Sequence, residues 1–209
     1  MEVVTLIISG VSLIVASAAL YFSQLRKAKV EAIVGPQLTV YHHDYEVGVS
    51  TGFIIPTSFL NDSPSTGNII RTAISIQKSD DSEEAYYMQW LKFAYLDEKK
   101  NSWLFECDAH PLVVTPRTGV HKNIFFMWLA DNSRKLNFDK GKYKITMYVW
   151  NNESKKPSKF IKEFLFTAEN QALLESKKTN KDKFSINIQI DKQLEVNRLL
   201  SKNELEKLL

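Results

Sequence analysis

Residues Val3 to Phe22 contain no charged side chain. This run, more than any other feature, limits what the chain can become. A helix rises about 1.5 Å per residue, so twenty residues span roughly 30 Å, the thickness of a bilayer's hydrocarbon core. A buried soluble helix of that length would show a polar face. The polar side chains here are Thr5, Ser9, Ser12, Ser17 and Ser23, and a helix satisfies such hydroxyls on its own carbonyls. A transmembrane helix is therefore expected, with residues 1–29 forming an anchor and its basic flank. Ala16-Ser17-Ala18 has the small-x-small form of a signal cleavage site. A signal, however, has a positive segment before a shorter apolar stretch. Here Glu2 is acidic, and the apolar run continues through Leu20, Tyr21 and Phe22. An uncleaved anchor is the expectation.

Direction follows from the flanks. Lys and Arg accumulate on the cytoplasmic side, close to the membrane. The C-terminal flank carries Arg26, Lys27 and Lys29, and no basic residue precedes the run. The sequence thus predicts a single-pass protein of the cell membrane with its C-terminal domain in the cytoplasm. Cys107 is the single cysteine, so no intrachain disulfide can form, as suits a reducing compartment. Sequons at Asn61 and Asn152 matter only if the domain faces outward.

Within the anchor, Thr5, Ser9, Ser12, Ala16, Ala19 and Ser23 are spaced 4, 3, 4, 3, 4. Small residues on one face let helix backbones approach closely in lipid. The stripe is a candidate seam for self-association or for another membrane protein.

About 180 residues follow the anchor, the size of one ordinary domain. With the flank and Glu2 set aside, their charges nearly balance. A nucleic-acid partner would usually demand a basic surface, so none is expected. Lysines do gather late, at Lys140, Lys142 and Lys144, at Lys155, Lys156, Lys159 and Lys162, and at Lys177, Lys178, Lys181 and Lys183. Interspersed acids favour a solvated strand face and polar loops; the alternative is a weak attraction to anionic inner-leaflet lipid.

Gly35-Pro36 is expected to end a short continuation of the helix, which makes residues 30–36 a linker. Beyond it, alternating apolar segments are separated by polar turns. "QLTVYHHDY" sets Leu38 and Val40 against Thr39 and Tyr41, and "IIRTAISIQ" sets Ile70, Thr72, Ile74 and Ile76 against Arg71, Ala73, Ser75 and Gln77. "GFIIPTSFL", "YMQWLKFAYL", "WLFECD", "KNIFFMWL", "YKITMYVW" and "KFIKEFLFT" complete seven or eight strands. The predicted fold is mainly β, an antiparallel two-sheet sandwich over 37–167. A C-terminal extension, 168–209, holds a short helix at "ENQALLES", a strand with Phe184, Ile186, Ile188 and Ile190 on one face, and a terminal helix opened by the capping-box form at Ser201.

The stretch "DKGKYKI", Asp139 to Ile145, resembles the D-x-G-x-Y-x-C signature of immunoglobulin-like sandwiches. Asp139, Gly141 and Tyr143 match, and Ile145 stands where the disulfide cysteine would be. The resemblance implies a tyrosine corner, in which the Tyr143 hydroxyl bonds backbone where the strand begins. Ile145, Met147 and Val149 would then face the core. With no disulfide and no tryptophan in "IIRTAISIQ", the likeness is to an immunoglobulin-like or fibronectin-III-like sandwich, not to an antibody-type domain. Anchor, "FIIPTSFLN", "HPLVV" and "GKYKITMYVW" together resemble uncharacterised bacterial single-pass membrane proteins, a likeness that implies architecture and no activity.

Reactive side chains are sparse. Cys107 and His110 have C-x-x-H spacing, His121 follows, and His42 and His43 are adjacent. A structural zinc needs about four convergent ligands, and neighbours in a strand point to opposite faces. Neither a metal nor a cofactor is expected. G-x-S-x-G and a glycine-rich phosphate loop are both missing. Asp80, Asp81, Glu83 and Glu84 crowd one apparent loop, where paired acid/base work would need opposed positions across a cleft. Cys107 is expected to be a partly buried thiol. Of the aromatics, most are expected in the core, while Tyr148 and Trp150 are a candidate binding patch. The expected function is non-enzymatic: a cytosol-facing protein-interaction or assembly module held at the bilayer, its protein partner unnamed. Two alternatives stand beside it, an enzyme or metal site around Cys107, His110 and His121, and the same sandwich displayed outside as an envelope or adhesion module.

Overall fold

The structure, a computed structural model, describes residues 2–45, 48–80, 84–100, 102–129, 136, 138–151, 155–180, 185–190 and 201. The apolar run forms helix α1 (Glu2–Leu20) and one wide π-type turn, Tyr21–Leu25. The domain covers none of it: no α1 side chain is buried, and Leu6 is 75% exposed.

The expected continuation of the helix and the linker at 30–36 are both corrected. At Arg26 the backbone is already extended (φ −61°, ψ 127°), and Val30–Val34 is strand β1. Val30 and Ala32 point inward, and Glu31 and Ile33 point outward. The local sequence could wind as a helix, but a partner strand offers β1 a full backbone ladder, and tertiary pairing overrides weak local propensity.

The remaining strands are β2 (Gln37–Tyr45), β3 (Gly48–Asn61), β4 (Gly67–Lys78), β5 (Tyr86–Asp97), β6 (Ser102–Asp108), β7 (Leu112–Val114), β8 (Thr118–Trp128), β9 (Gly141–Asn151), β10 (Ser158–Phe166) and β11 (Ile186–Gln189). Helix α2 (Ala168–Asn180) precedes β11. All pairings are antiparallel, in the order β10-β9-β4-β5-β8-β3-β2-β11, with β1 on β3, β6 on β5 and β7 on β4. The sheet folds over on itself and nearly closes, because β10 and β11 have Cα atoms within 8 Å of each other. Strand β5 makes the corner. Its first half pairs with β4 (Ile76↔Tyr86 to Ala73↔Gln89) and its second with β8, across a register shift between Trp90 and Lys92. Bulges are how strands change sheets.

Inside lies one main core. Leu38, Val40, Phe53, Ile55, Phe59, Ile124 and Phe126 face Ile74, Ile76, Ile145, Met147, Val149, Phe164 and Phe166. Leu174 of α2 and Ile186, Ile188 and Ile190 join it, so the segment set apart as an extension is part of the same core. Phe184 and the expected terminal helix lie outside the described residues. On the opposite face of β3 and β8, Ile54, Phe125 and Ala94 form a second buried cluster under Tyr41, Trp103 and Met127. Gly52 makes this possible: it is paired with Tyr41, and a Cβ there would lie 2.7 Å from the Tyr41 ring and 2.8 Å from Phe125.

Strand β3 is central yet holds Pro56, which cannot donate to a ladder. The chain resolves this by changing partner there. Strand β2 pairs with β3 up to Ile54 and β1 pairs from Thr57 onward. The break between them is Gly35-Pro36, where Gly35 N–H donates to Pro56 O at 2.7 Å. A Cβ on Gly35 would sit 2.9 Å from that oxygen. Gly35-Pro36 is therefore a strand-to-strand kink, not a helix stop.

Candidate functional site

The candidate patch lies on the outer face of β10, β9, β4 and β5. Alternation along β9 sends Tyr143, Ile145, Met147 and Val149 inward and leaves Tyr148 and Trp150 half-exposed outside. Tyr148 sits between Ala73 on β4 and Lys159 on β10. The small Ala73 leaves room for its ring, whose hydroxyl meets Ser75 Oγ at 3.1 Å. Trp150 lies 6.1 Å from Tyr148, and Tyr87 of β5 lies 6.2 Å from it on the other side. Arg71 places its guanidinium 4.2 Å from the Trp150 ring centre, and Lys159 Nζ stands 5.7 Å from Tyr148. Cations over π faces attract electrostatically.

A β-bulge creates this arrangement and corrects the expected alternation of β4. The register shifts between Ile69 and Arg71. Ile69 is fully buried, while Ile70 is 42% exposed. Ile70, expected to share a face with Thr72, Ile74 and Ile76, is turned out beside Arg71 instead. An inserted residue re-aims its neighbours, and here Arg71 is aimed at Trp150. Arg71, Tyr87 and Lys159 were not expected to join Tyr148 and Trp150, although Lys159 stood out among the late lysines. A bulge leaves no periodic signal, and Tyr87 lies in an aromatic run expected mostly in the core, yet it and Tyr95 are exposed.

Tyr143 occupies the end of β9 away from α1. Its ring is buried 3% exposed, 5.0 Å from Phe138 and stacked on Phe164 at 5.5 Å. Its hydroxyl donates to Asp139 O at 3.0 Å and accepts from Asp139 N–H at 3.1 Å. Burial, above all, pushes the phenol up to about 12, with the Asp139 charge adding and its backbone bond opposing. Gly141 starts the strand, with Lys78 the nearest neighbour to a Cβ placed there.

The Cys107 neighbourhood does not converge. Cys107 is exposed, not partly buried as expected, because β6 is an outer strand whose final residues face solvent. Its Sγ lies 3.9 Å from His110 Nδ1, but that nitrogen is 3.0 Å from the Asp108 carbonyl, to which it donates. A lone pair is then not available to the thiol at that nitrogen. His121 is engaged elsewhere, on Ser58 of β3 at 3.2 Å, and His42 meets Thr51 at 3.2 Å. The His43 side chain is outside the described ones. Among the described residues no three His, Cys, Asp or Glu gather to hold a metal ion.

The segment after α1 joins the domain through polar contacts. Arg26 holds both Asp62 carboxylate oxygens, at 3.0 and 3.2 Å, and Ser65 Oγ donates to Arg26 O at 2.8 Å. Lys29 pairs with Glu31 at 2.6 Å, and that hydrogen bond raises the lysine above its ordinary range. Lys27 is exposed. Behind them Asn61, 1% exposed, ties the β3–β4 connection together. Its Nδ2 donates to Ser65 O (2.8 Å), Val114 O (3.0 Å) and Thr115 O (3.3 Å), while its Oδ1 accepts from Ser63 N–H and Oγ. The sequon at Asn61 is thus a structural knot whose amide nitrogen is fully used. Along α1, Thr5, Ser9, Ser12, Ala16 and Ala19 are exposed. Ser23 falls in the wider turn and donates to Leu20 O at 3.3 Å.

No family model matches this chain, and no curated protein matches it. Solved structures that align with this chain include a Bordetella pertussis protein titled as ApaA (9% identity, 67% of this chain, 94% of that chain, TM-score 0.32). A protein from Archaeoglobus fulgidus aligns at 10% identity over 68% of this chain and 98% of its own, with TM-score 0.35. A family 123 glycoside hydrolase from Clostridium perfringens aligns at 14% identity over 66% of this chain and 27% of its own, with TM-score 0.32. At these scores none of the likenesses carries an argument about what this chain does.

Proposed function

We propose that this chain is a single-pass membrane protein whose β domain serves, on the cytosolic side, as a non-enzymatic interaction or assembly module. The observation that carries the proposal is α1 itself. Its apolar side chains face outward all round, and the domain leaves every one of them uncovered. Burying a Leu or Ile is worth about 1.5–3 kcal/mol, so a helix of this kind in water would be strongly unfavourable. A lipid bilayer supplies what the domain does not. The basic flank at Arg26, Lys27 and Lys29 supports the cytosolic orientation.

For the domain we propose an immunoglobulin-like or fibronectin-III-like sandwich. Two features support it. The order β10-β9-β4-β5 beside β8-β3-β2 corresponds to the two layers of such domains. The Tyr143 hydroxyl also grips the backbone four residues upstream, as a tyrosine corner does. The outer face around Tyr148 and Trp150 is the surface we assign to a protein partner, since exposed aromatics with an arginine are typical anchors.

Reporter fusions test the orientation. With either reporter fused after Leu209, a cytosol-dependent fluorescent protein should light up and alkaline phosphatase should stay inactive. The opposite pattern overturns the cytosolic assignment and favours a module displayed outside.

A further inference from the structure

Three connections at one end of the domain lie around the root of α1: β3–β4, β7–β8 and β9–β10. Pairing of Val30 with Asn61 sets the start of β1 beside the end of β3. Gly67 pairs with Val114, and a Cβ on Gly67 would strike Val30 at 2.3 Å. The turn after β7 is tied to the β3–β4 connection by Arg117 N–H donating to Ser63 O at 3.2 Å. The antiparallel register brings the β9–β10 hairpin to the same end, since Ile69 pairs with Asn151 and Val149 with Ser158.

That end is basic. Lys27, Arg117, Lys155 and Lys159 are exposed there, and Arg71 lies on Trp150 just above. Of the nearby carboxylates, Asp62 is answered by Arg26, Glu31 by Lys29 and Asp97 by Lys100, while Glu98, exposed in the same turn, is followed directly by Lys99 and Lys100. Asp80 and Glu84 belong to the β4–β5 connection at the opposite end. Arg117 adds a second sign. Its φ of 54° is in the left-handed region that favours glycine and strains a longer side chain. Strain of this kind points to a use for the side chain displayed.

We infer that the α1-proximal end of the domain rests on anionic lipid, with Lys27, Arg117, Lys155 and Lys159 against the headgroups and Trp150, the end of the partner surface nearest α1, beside them, which leaves Tyr148 and Tyr87 to the protein partner. The inference rests on the anchor proposed above, which holds this end within reach of the surface. Lys and Arg near an anionic leaflet attract it over about one Debye length, and tryptophan favours the interfacial depth.

The test uses the full chain reconstituted into vesicles of phosphatidylcholine alone or mixed with phosphatidylglycerol, carrying a lipid with a nitroxide at headgroup depth. Tryptophan quenching should be stronger in the anionic vesicles. The excess should vanish in Trp150→Phe, at high salt, and in the triple variant Arg117→Glu, Lys155→Glu, Lys159→Glu. Equal quenching in the two lipids, or an excess that survives salt or Trp150→Phe, overturns the inference. The salt series on the unaltered chain keeps the test decisive should the triple variant misfold. A carbonate wash separates the two levels. Release of the chain from the vesicles defeats the anchor itself, whereas retention without excess quenching defeats only the lipid contact.

Discussion

Asn61 does more for this fold than any other polar side chain described. Its amide donates to three carbonyls of two connections and accepts twice from Ser63. Replacing it with alanine strands buried carbonyls, each costing about 1–3 kcal/mol. Asn61→Ala should therefore lower stability by about 2–4 kcal/mol, read as a fall in denaturant midpoint with unchanged slope, and Asn61→Asp should not rescue it. Tyr143 gives a milder effect with a pH signature. Tyr143→Phe removes one hydroxyl and should cost about 0.5–1.5 kcal/mol at neutral pH. The buried phenol is held neutral, its value raised from 10.0 to about 12. A raised value means stability is complete below pH 10 and is lost as pH climbs toward 12. The stability gap between the original chain and Tyr143→Phe should thus be flat up to pH 10 and shrink above it. A gap independent of pH would mean that the hydroxyl is open to solvent.

At the scale of elements, α1 and β4 differ in how they can be read. The small-residue stripe of α1 is left uncovered by the domain, and on the proposed membrane reading it would be a helix–helix seam. If Thr5, Ser9, Ser12, Ala16, Ala19 and Ser23 make that seam, Ser12→Leu and Ala16→Leu should abolish the signal of an association reporter. Ile14→Leu and Val15→Leu, on other faces, should leave it intact, and all four should insert equally. Equal signals throughout would remove the seam. Strand β4 was legible as a strand from its alternation, but its first turn of pairing was not. Ile69 and Ile70 are chemically equivalent neighbours, so the sequence is indifferent to which one is buried. The bulge decides it, and the bulge is set by where β9 and β7 pair with β4. Strand β1 repeats the lesson, since its five residues become a strand because the free edge of β3 is beside them.

For the whole molecule, the segment after Phe166 is structural. Ile186, Ile188 and Ile190 are 2–4% exposed and Leu174 is 3% exposed, and β11 completes the ladder of β2. Four buried aliphatic side chains are worth about 6–12 kcal/mol in transfer free energy alone. That is the whole margin of an ordinary domain. A chain ending at Thr167 should therefore be recovered as insoluble or protease-sensitive material, judged by limited proteolysis beside the full chain. A truncated chain as resistant as the original would show that α2 and β11 are an accessory.

Local pattern and composition were enough to place α1 and most strands, while the Tyr143 turn and the inward face of β9 were expectations carried by a motif resemblance. The first two depend on periodicity or on an uncharged run, which neighbouring residues carry between them. The tertiary structure alone decided the rest. It made β1 a strand, brought 186–190 into the core, turned Ile70 out and Arg71 onto Trp150, exposed Cys107, and spread His110 and His121 apart. It also spent the Asn61 sequon inside a buried knot. These outcomes depend on which strands become neighbours, and residues paired across a folded sheet are dozens of positions apart in the chain. Pairing energy between them leaves no mark on the local pattern that either one carries.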